Sequence, residues 1–350
     1  MYTRTSDQKI KTIVNNGKAN FGTYNEIPQK LDIRAMRSPY AGVPLPSFIS
    51  KIRIKSRLNY IFDLKDFMGF TEFYDFKAFG LAEILLWNKN TGIKYAYHAF
   101  MANPHRFVPT ATAKGRCACY KHTRRIKVSW GREHRHTALS FSLKGDKIRP
   151  AIEGFCISAI NEKIHTDTLF VNPCPTSSRC SASWISTMSV KGKIEVNHEA
   201  TEQTSGLAAM IVNRAYYKFR SRINFCLGMG KVKDKDIIFH IKTSTMDAVN
   251  SDDYNDNLLS VDGEVTCLPS VYITHPFGSS KKWIIQDTEG MIDLTFEPQS
   301  IDDRTLNVIA LRRVSKSLYG KFEGTLLTGK GEKLSFKNLS GIINSSSLRL

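Results

Sequence analysis

The sequence predicts an all-β fold in which an irregular N-terminal arm precedes two lipocalin-like antiparallel β-barrel lobes. The first reason is alternation: Ile292, Leu294 and Phe296 are separated by single polar residues, which is the period of two that half-buried strands show. The second is spacing, since such stretches are short, turn residues separate them, and few have the 3.6-residue period of an amphipathic helix. Many short strands joined by turns favour a barrel or a sandwich over βαβ units.

The predicted arm comprises residues 1–50, where several prolines and the turn sequence at 38–42 interrupt any helix. We expect it to wrap a sheet or to cross a barrel mouth. The first lobe is predicted over residues 51–185 and the second over residues 186–350. The boundary between them rests on Thr176–Ser183, which is mostly small and polar and therefore suggests a connection.

In the first lobe, Lys51–Leu64 is predicted as a strand with one apolar and one basic face. Leu81–Trp87 and Ile93–Met101 flank the turn sequence Asn88–Gly92, and this arrangement predicts a hairpin. Four further strands are predicted at Gly115–Tyr120, Arg124–Trp130, Thr137–Leu143 and Ala151–Ile157.

The second lobe is predicted to begin with a new strand at Val190–His198 and to end in a meander between Trp283 and Ile342. In that meander, Leu318–Leu327 is a strand, the glycine-containing turn at 328–331 reverses the chain, and Lys333–Phe336 returns it. Both halves therefore predict meanders of the kind that close into barrels.

The bulk composition fits a large basic protein. A chain of 350 residues that is 41% hydrophobic can bury a substantial core, and its length suggests two domains. Lys and Arg number 50 against 32 Asp and Glu, so the net charge is 50 − 32 = +18. This charge is compatible with anionic partners such as nucleic acid, anionic headgroups or acidic metabolites, but a basic surface that merely keeps the protein soluble is the favoured explanation, because the sequence contains no long basic block.

The sequence predicts a cytoplasmic location. The first 26 residues are polar and contain no apolar segment of a signal peptide. The apolar runs are too short to span a membrane. Seven cysteines without a framework spacing fit a compartment in which thiols stay reduced.

Two motifs are candidate cofactor or metal sites. Gly228-Met229-Gly230 lacks the third glycine of a dinucleotide fingerprint, so a turn at a strand end is favoured and no cofactor is predicted. Cys117 and Cys119 share one face of a strand, but no second cysteine pair has finger spacing. Buried structural cysteines are favoured over a metal site completed by the histidines of this half, which are His105, His122, His134 and His136.

A basic segment between residues 124 and 135 contains Trp130 among its arginines. Basic grooves with aromatic platforms bind single-stranded nucleic acid, and polybasic patches contact anionic headgroups. A strand with a solvated basic face is the favoured interpretation, because the segment contains no specific nucleic-acid motif.

Three stretches, in this order, resemble the bacterial family known as domain of unknown function 2804. They are Lys51–Tyr60 with the following FGLAEILLWNKNTG, then Asn213–Gly230, and then the C-terminal run from Trp283 to Ile342. The most specific part is the strand containing Gly320, Phe322, Gly324 and Leu326. By fold analogy, the resemblance implies two-lobed, lipocalin-like proteins of the carotenoid hydratase and AttH type. It implies no established activity.

The chain departs from this family pattern in its middle stretch. There the family tends to carry an Asp-Trp pair before an arginine and then Trp-Asn-Trp. Here Arg214 and Asn224 are present, but Ile211-Val212 occupies the place of the Asp-Trp pair. Ile223 and Phe225 occupy the tryptophan places.

Polar residues in apolar β surroundings are the candidate site residues. Glu83 shares a strand face with Leu85 and Trp87, and His98 lies on the return strand. Glu83 and His98 are candidate acid-base groups, since burial raises the pKa of a carboxyl group. Trp87, Arg214 and Asn224 are candidate ligand-binding residues.

These residues lead to three functional hypotheses. The first is a protein that binds an apolar or amphipathic small molecule in a barrel cavity or between the lobes. The second is an acid-base enzyme of the hydratase or isomerase type that acts on a lipid or an isoprenoid. The third is a basic surface module that binds nucleic acid or an anionic membrane. Structural ion pairs are the alternative explanation for each charged residue.

Overall fold

The computed structural model describes residues 2–4, 6, 9–40, 46–102, 107–133, 135–159, 163–199, 201–308 and 311–349. The arm contains β1 (Val14–Asn15), β2 (Lys18–Ala19), β3 (Gly22–Tyr24) and the short helix α1 (Ser47–Ile52). The next eleven strands are β4 (Ile54–Asp63), β5 (Phe67–Asp75), β6 (Phe79–Asn88), β7 (Lys94–Ala102), β8 (Lys114–Lys121), β9 (Arg124–Gly131), β10 (His136–Leu143), β11 (Ile152–Ala159), β12 (Thr166–Pro173), β13 (Cys180–Val196) and β14 (Thr204–Tyr216). The last nine are β15 (Arg220–Val232), β16 (Lys235–Ser244), β17 (Leu258–Val261), β18 (Glu264–Cys267), β19 (Tyr272–Thr274), β20 (Trp283–Gln286), β21 (Ile292–Val308), β22 (Leu311–Leu327) and β23 (Lys333–Arg349).

The first sheet forms a nearly closed antiparallel barrel. Its strand order is β7-β6-β5-β4-β14-β13-β11-β10-β9-β8. The long strand β13 holds two partners on one edge, because its first half pairs with β12 and its second half with β11. Strand β3 of the arm adds to β12.

The second sheet forms a half-barrel with the order β18-β17-β16-β15-β23-β22-β21-β20-β19. Three strands of 17 residues each, β21, β22 and β23, make up its centre and one side. The predicted fold class, all-β with two lipocalin-like lobes and an N-terminal arm, is confirmed. Within the described ranges, no helix has the length and apolar character needed to cross a membrane.

Four apolar clusters hold the molecule together, and the smallest of them, which contains Tyr74 and Leu348, joins the two lobes. The first fills the interior of the first lobe and includes side chains of the arm, such as Ile13, Leu31 and Ile33. The second fills the concave face of the second lobe. The third joins the two lobes, since Ile61 and Leu85 of the first sheet meet Leu227 of the second in it. The lobes therefore share an apolar interface.

The change from one sheet to the other falls between Tyr216 and Arg220. The boundary predicted at 185/186 lies inside β13, and the predicted strand at 190–198 is the second half of that strand. Of the residues that suggested a connection, 176–179 lie in the turn between β12 and β13, and 180–183 begin β13. Ser183, for example, is 2% exposed and faces the second lobe, where it donates a hydrogen bond to Asp256.

The basic face predicted for the strand at 51–64 is buried where β4 begins. Lys55 and Arg57 are 4% and 5% exposed. Lys55 donates a hydrogen bond to the carbonyl oxygen of Phe76 at 2.7 Å, and burial lowers its pKa to about 8. Ile52 lies in the helix before the strand and is 53% exposed. Alternation thus identified two faces here, but the second lobe covers the basic one.

Aromatic rings lie over glycines on neighbouring strands in both sheets. In the first sheet, Trp130 faces Gly115, and a Cβ atom on Gly115 would lie 2.0 Å from the indole ring. Phe62 covers Gly69 in the same way, at 2.1 Å. A missing side chain opposite a large one lets the sheet bend sharply enough to close.

We expect Gly115→Ala to destabilise the protein by about 1–3 kcal/mol, because the added methyl group must displace the ring of Trp130. Urea denaturation followed by tryptophan fluorescence measures this change. Gly329→Ala is the matched control, since a Cβ atom there meets Thr266 at an ordinary 3.6 Å. Equal stability of the two variants would contradict the role of the ring over Gly115.

Candidate functional site

The surface between the lobes has an apolar part that contains Trp87. Its indole is fully buried and stacks on Tyr319 of the second lobe, with ring centroids 5.8 Å apart and an angle of 24° between the planes. Alternation along β6 places Leu85 on the same face. The Nε1 group of Trp87 has no hydrogen-bond partner within the described part of the chain.

A row of ionisable residues crosses this face next to the apolar part. Glu72 of β5, Glu83 of β6 and His98 of β7 lie directly opposite one another on adjacent strands. Two carboxyl groups side by side repel each other if both ionise, so the row requires cations from elsewhere.

The second lobe supplies the main cation for Glu72. Nη2 of Arg313 on β22 donates a hydrogen bond to Oε2 of Glu72 at 2.5 Å. Nη1 of Arg57 on β4 lies 3.8 Å from the other carboxylate oxygen. The side chains of all three residues are at most 7% exposed. This ion pair therefore joins the two sheets in a dry environment.

Glu83 pairs with the second lobe at the margin of the interface. Its Oε2 accepts a hydrogen bond from Nη1 of Arg304 at 2.6 Å, and Arg304 also bonds Asp302 at 2.8 Å. Burial raises the pKa of Glu83, while the Arg304 cation opposes this effect. His98 lies opposite Glu83 on the neighbouring strand, and its side chain is exposed. Partial desolvation, together with the charge of Arg304, lowers the pKa of His98.

A second buried polar cluster centres on Asp256, which reaches over from the second lobe. Its carboxylate accepts hydrogen bonds from Asn172 at 2.5 Å, from Ser183 at 2.7 Å and from Lys242. Burial opposes its ionisation, but Lys242 and Ser183 hold its pKa below the usual range. The Nδ1 group of the buried His240 lies 3.0 Å from the backbone oxygen of Asp256.

The structure separates the predicted ligand-binding residues. Trp87 lies between the lobes, whereas Arg214 points into the first lobe and donates hydrogen bonds to Ser56 and to the carbonyl oxygens of Val108 and Pro109 at 2.6–2.8 Å. Asn224 shares a face of β15 with Cys226, on the concave side of the second lobe, and its Oδ1 atom is buried without a partner among the described residues. Arg214 thus orders a loop beside the barrel, and the three residues do not form one site.

The thiols of Cys117 and Cys119 lie in the apolar interior of the first lobe, where burial raises their pKa values. The described residues include no group of three or more histidine, cysteine or acidic side chains that could hold a metal ion. His105 and His134 lie outside the described residues. Trp130 of the basic segment is 3% exposed and donates its indole N–H to Thr112, so it offers no stacking platform.

A cleft of about 410 Å³ opens between the lobes at the end of β4 and β15. We call it the interlobe cleft. Its apolar lining residues are Leu64, Ile164 and Leu207, and its charged lining residues are Asp63, Lys65, Lys89, Lys231 and Asp236. Gly206 and Gly230 form part of its wall. This cleft could not be predicted from the sequence, because its lining comes from turns and strand ends on both lobes.

The sequence does contain a signal for the carboxylates of the buried ion pairs. Glu72 alternates with Phe70 and Tyr74, just as Glu83 alternates with apolar residues on the next strand. A carboxylate on an apolar strand face is therefore the signal that the two glutamates share, and both pair with the second lobe. Arg313 carries no such signal, because Ser315 and Ser317 follow it on its strand face.

The fold and the buried interface define a two-lobed, lipocalin-like β protein. The chain matches the family described as Domain of unknown function (DUF2804) over residues 9–350. It therefore belongs to that family, as the resemblance in its sequence predicted. No curated protein matches the chain.

Two solved structures are similar to the chain over most of its length. The crystal structure of CghA with Sch210972 has 11% identity and a TM-score of 0.47, with coverage of 95% of this chain and 96% of that chain. The crystal structure of kievitone hydratase from Nectria haematococca has 9% identity and a TM-score of 0.43, with coverage of 83% and 88%. Neither likeness identifies a ligand or a reaction for this protein.

We expect Arg313→Met to destabilise the protein by about 3–5 kcal/mol, because it leaves Glu72 buried with only the more distant Arg57 for a partner. Urea denaturation measures the free energy of unfolding. Lys330→Met is the control, since its 2.7 Å ion pair with Glu264 is largely exposed and such pairs contribute little. If both variants are equally stable, the pair of Glu72 and Arg313 does not hold the lobes together.

Because His240 is buried, we expect the free energy of unfolding to fall in acid. Burial lowers its pKa to about 4 from the ordinary 6.5, so the unfolded chain takes up the proton first as the pH falls. The contribution of neutral His240 is fully present above pH 6.5 and is lost on acidification towards pH 4, and it amounts to about 3 kcal/mol.

The variant His240→Asn keeps a donor near the Asp256 carbonyl and removes the titration. We expect the wild type to lose about 3 kcal/mol more stability than the variant between pH 6.5 and 4. The difference between the two proteins is the informative quantity, because Asp247, whose pKa burial raises to about 6, acts in the opposite direction in both. Parallel pH profiles would contradict the assignment.

Proposed function

We propose that the protein binds a small amphipathic molecule with an acidic head group in the interlobe cleft. The observation that carries this proposal is the combination of an apolar floor and a lysine-bearing rim in one opening of about 410 Å³. Ligand sites of this size combine apolar walls with a few polar groups that orient the ligand.

The floor of the cleft adjoins the apolar cluster between the lobes. Leu207 is 6% exposed and belongs to that cluster, and Ile164 packs against it. Leu64 belongs to the interior cluster of the first lobe. An apolar tail in the cleft would therefore gain free energy from burial against side chains that are already packed and need little rearrangement.

The rim carries more cations than carboxylates. Lys89 is bound to Asp63 at 2.8 Å. Lys231 is 70% exposed and lies 3.8 Å from Asp236, and Lys65 is exposed. Three ammonium groups facing two carboxylates leave one positive charge to receive an acidic head group.

The acid-base hypothesis receives less support from this geometry. Glu83 and His98 do not line the cleft, and Glu83 is six residues before Lys89, roughly 20 Å along an extended strand. The carboxylate of Glu83 is also bound to Arg304. Catalysis by these two residues stays a prediction, as does a cytoplasmic location.

Binding of a dansyl-labelled fatty acid, compared with the corresponding fatty alcohol, tests the proposal. We expect the acid to bind more tightly, because only the acid can pair with the lysine rim. Ser205→Trp should fill the cleft and weaken binding of the acid at least about tenfold, a change of roughly 1.4 kcal/mol. Lys65→Gln should weaken the acid but not the alcohol.

Ser335→Trp is the control for the added indole, because Ser335 is exposed on β23 outside the cleft. A folded Ser205→Trp protein that binds the probe as the wild type does would place the ligand elsewhere. Equal affinity for the acid and the alcohol would contradict the role of the rim while leaving the apolar floor intact.

A further inference from the structure

Arginines form a row across the second sheet at the end far from the interlobe cleft. Arg220 of β15 lies directly opposite Arg349 of β23, which lies directly opposite Arg312 of β22. Arg222 is on the same face, two residues further along β15. Ten residues of β15 separate Arg220 from Gly230 in the cleft wall, roughly 30 Å of strand.

All four arginines of this row are exposed, and solvent weakens but does not remove the repulsion between their charges. Like charges directly opposite on adjacent strands destabilise a sheet. Across the ranges that the structure describes, none of the four guanidinium groups forms an ion pair or a side-chain hydrogen bond, whereas the neighbouring Arg304 and Arg313 are both paired with glutamates. The row therefore has donors for a ligand and lacks an internal counterion among those residues.

The four arginines line a pocket of about 470 Å³. Ser347 and Thr245 add hydroxyl groups to its wall, and among the residues that the structure describes no aspartate or glutamate lines it. Val314, two residues after Arg312 on β22, adds an apolar side chain to the wall of the pocket. The pocket thus combines a strongly cationic wall with a smaller apolar one.

We propose that this pocket binds a phosphate monoester. A single carboxylate can satisfy one guanidinium group by a bidentate pair, which leaves the other arginines unpaired. A dianionic phosphate has three terminal oxygens and can accept hydrogen bonds from several arginines at once. The apolar wall then contacts the group that the phosphate esterifies. This site is separate from the interlobe cleft, so either proposal can fail without the other.

Isothermal titration calorimetry with phenyl phosphate, in a phosphate-free buffer of low ionic strength, tests the proposal. We expect saturable binding by the full-length protein, weaker binding of benzoate, and loss of affinity as sodium chloride is added. Arg312→Gln combined with Arg349→Gln should lower the affinity at least about tenfold. The control combines Arg116→Gln with Arg125→Gln, which removes the same charge from exposed positions of the first lobe.

Arg349→Glu provides a second measurement that does not depend on binding. The new carboxylate would lie between Arg220 and Arg312 and supply the missing counterion. We expect a higher melting temperature than the wild type without ligand, and no further rise when phenyl phosphate is added. A lower melting temperature with unchanged phosphate binding would overturn the proposal.

A free phosphate monoester and the head group of phosphatidic acid share this chemistry, and flotation with vesicles separates them. Binding of phenyl phosphate without flotation on phosphatidylcholine vesicles that contain phosphatidic acid supports a soluble ligand. Flotation that requires phosphatidic acid and is lost in the Arg312→Gln, Arg349→Gln variant supports a lipid head group. If neither phenyl phosphate nor the vesicles bind, or if the first-lobe control loses as much affinity, the pocket is not a phosphate site.

Discussion

The buried pair of Glu72 and Arg313 is the interaction on which the arrangement of the two lobes depends. Apolar contacts between the sheets are non-directional and would tolerate several relative positions. Each of these charges sits on a different sheet, and neither can reach water once the lobes have met. Only the arrangement in which they meet avoids an unpaired buried charge, so the pair selects one register for the interface even if it adds little net stability.

Alternation and turn residues in the sequence were sufficient to predict β4, the run from β6 to β11 and parts of β13, β21, β22 and β23, because each of these strands has one face in a lobe interior. They could not predict what covers the other face. On β4 the polar side of the pattern contains Arg57, which is buried against the second lobe although the sequence indicates a basic face. Its partner Glu72 follows on the next strand, but Arg313 is 241 residues from Glu72 along the chain. Pairing over such a separation leaves no local sequence pattern.

The same reasoning explains the mixed result for the candidate site. Glu83 and Trp87 were placed on one strand face, and both lie between the lobes because residues two and four apart on a strand share a side. Arg214 and Asn224 were grouped by their places in a family pattern, which carries no information about faces. The structure directs Arg214 into the first lobe and Asn224 to the concave side of the second.

One departure from the family pattern, at position 211, has a physical consequence at the interface between the lobes. Ile211, at a position where the resemblance implies an aspartate, lies opposite Asn59 and one diagonal step from Arg57. The Nε group of Arg57 is buried and has no partner among the described residues. An aspartate at position 211 would bring a carboxylate within diagonal reach of that donor. With isoleucine there, this chain extends the apolar cluster and leaves Arg57 incompletely paired, so its interlobe region is more apolar and less charged than the family pattern implies.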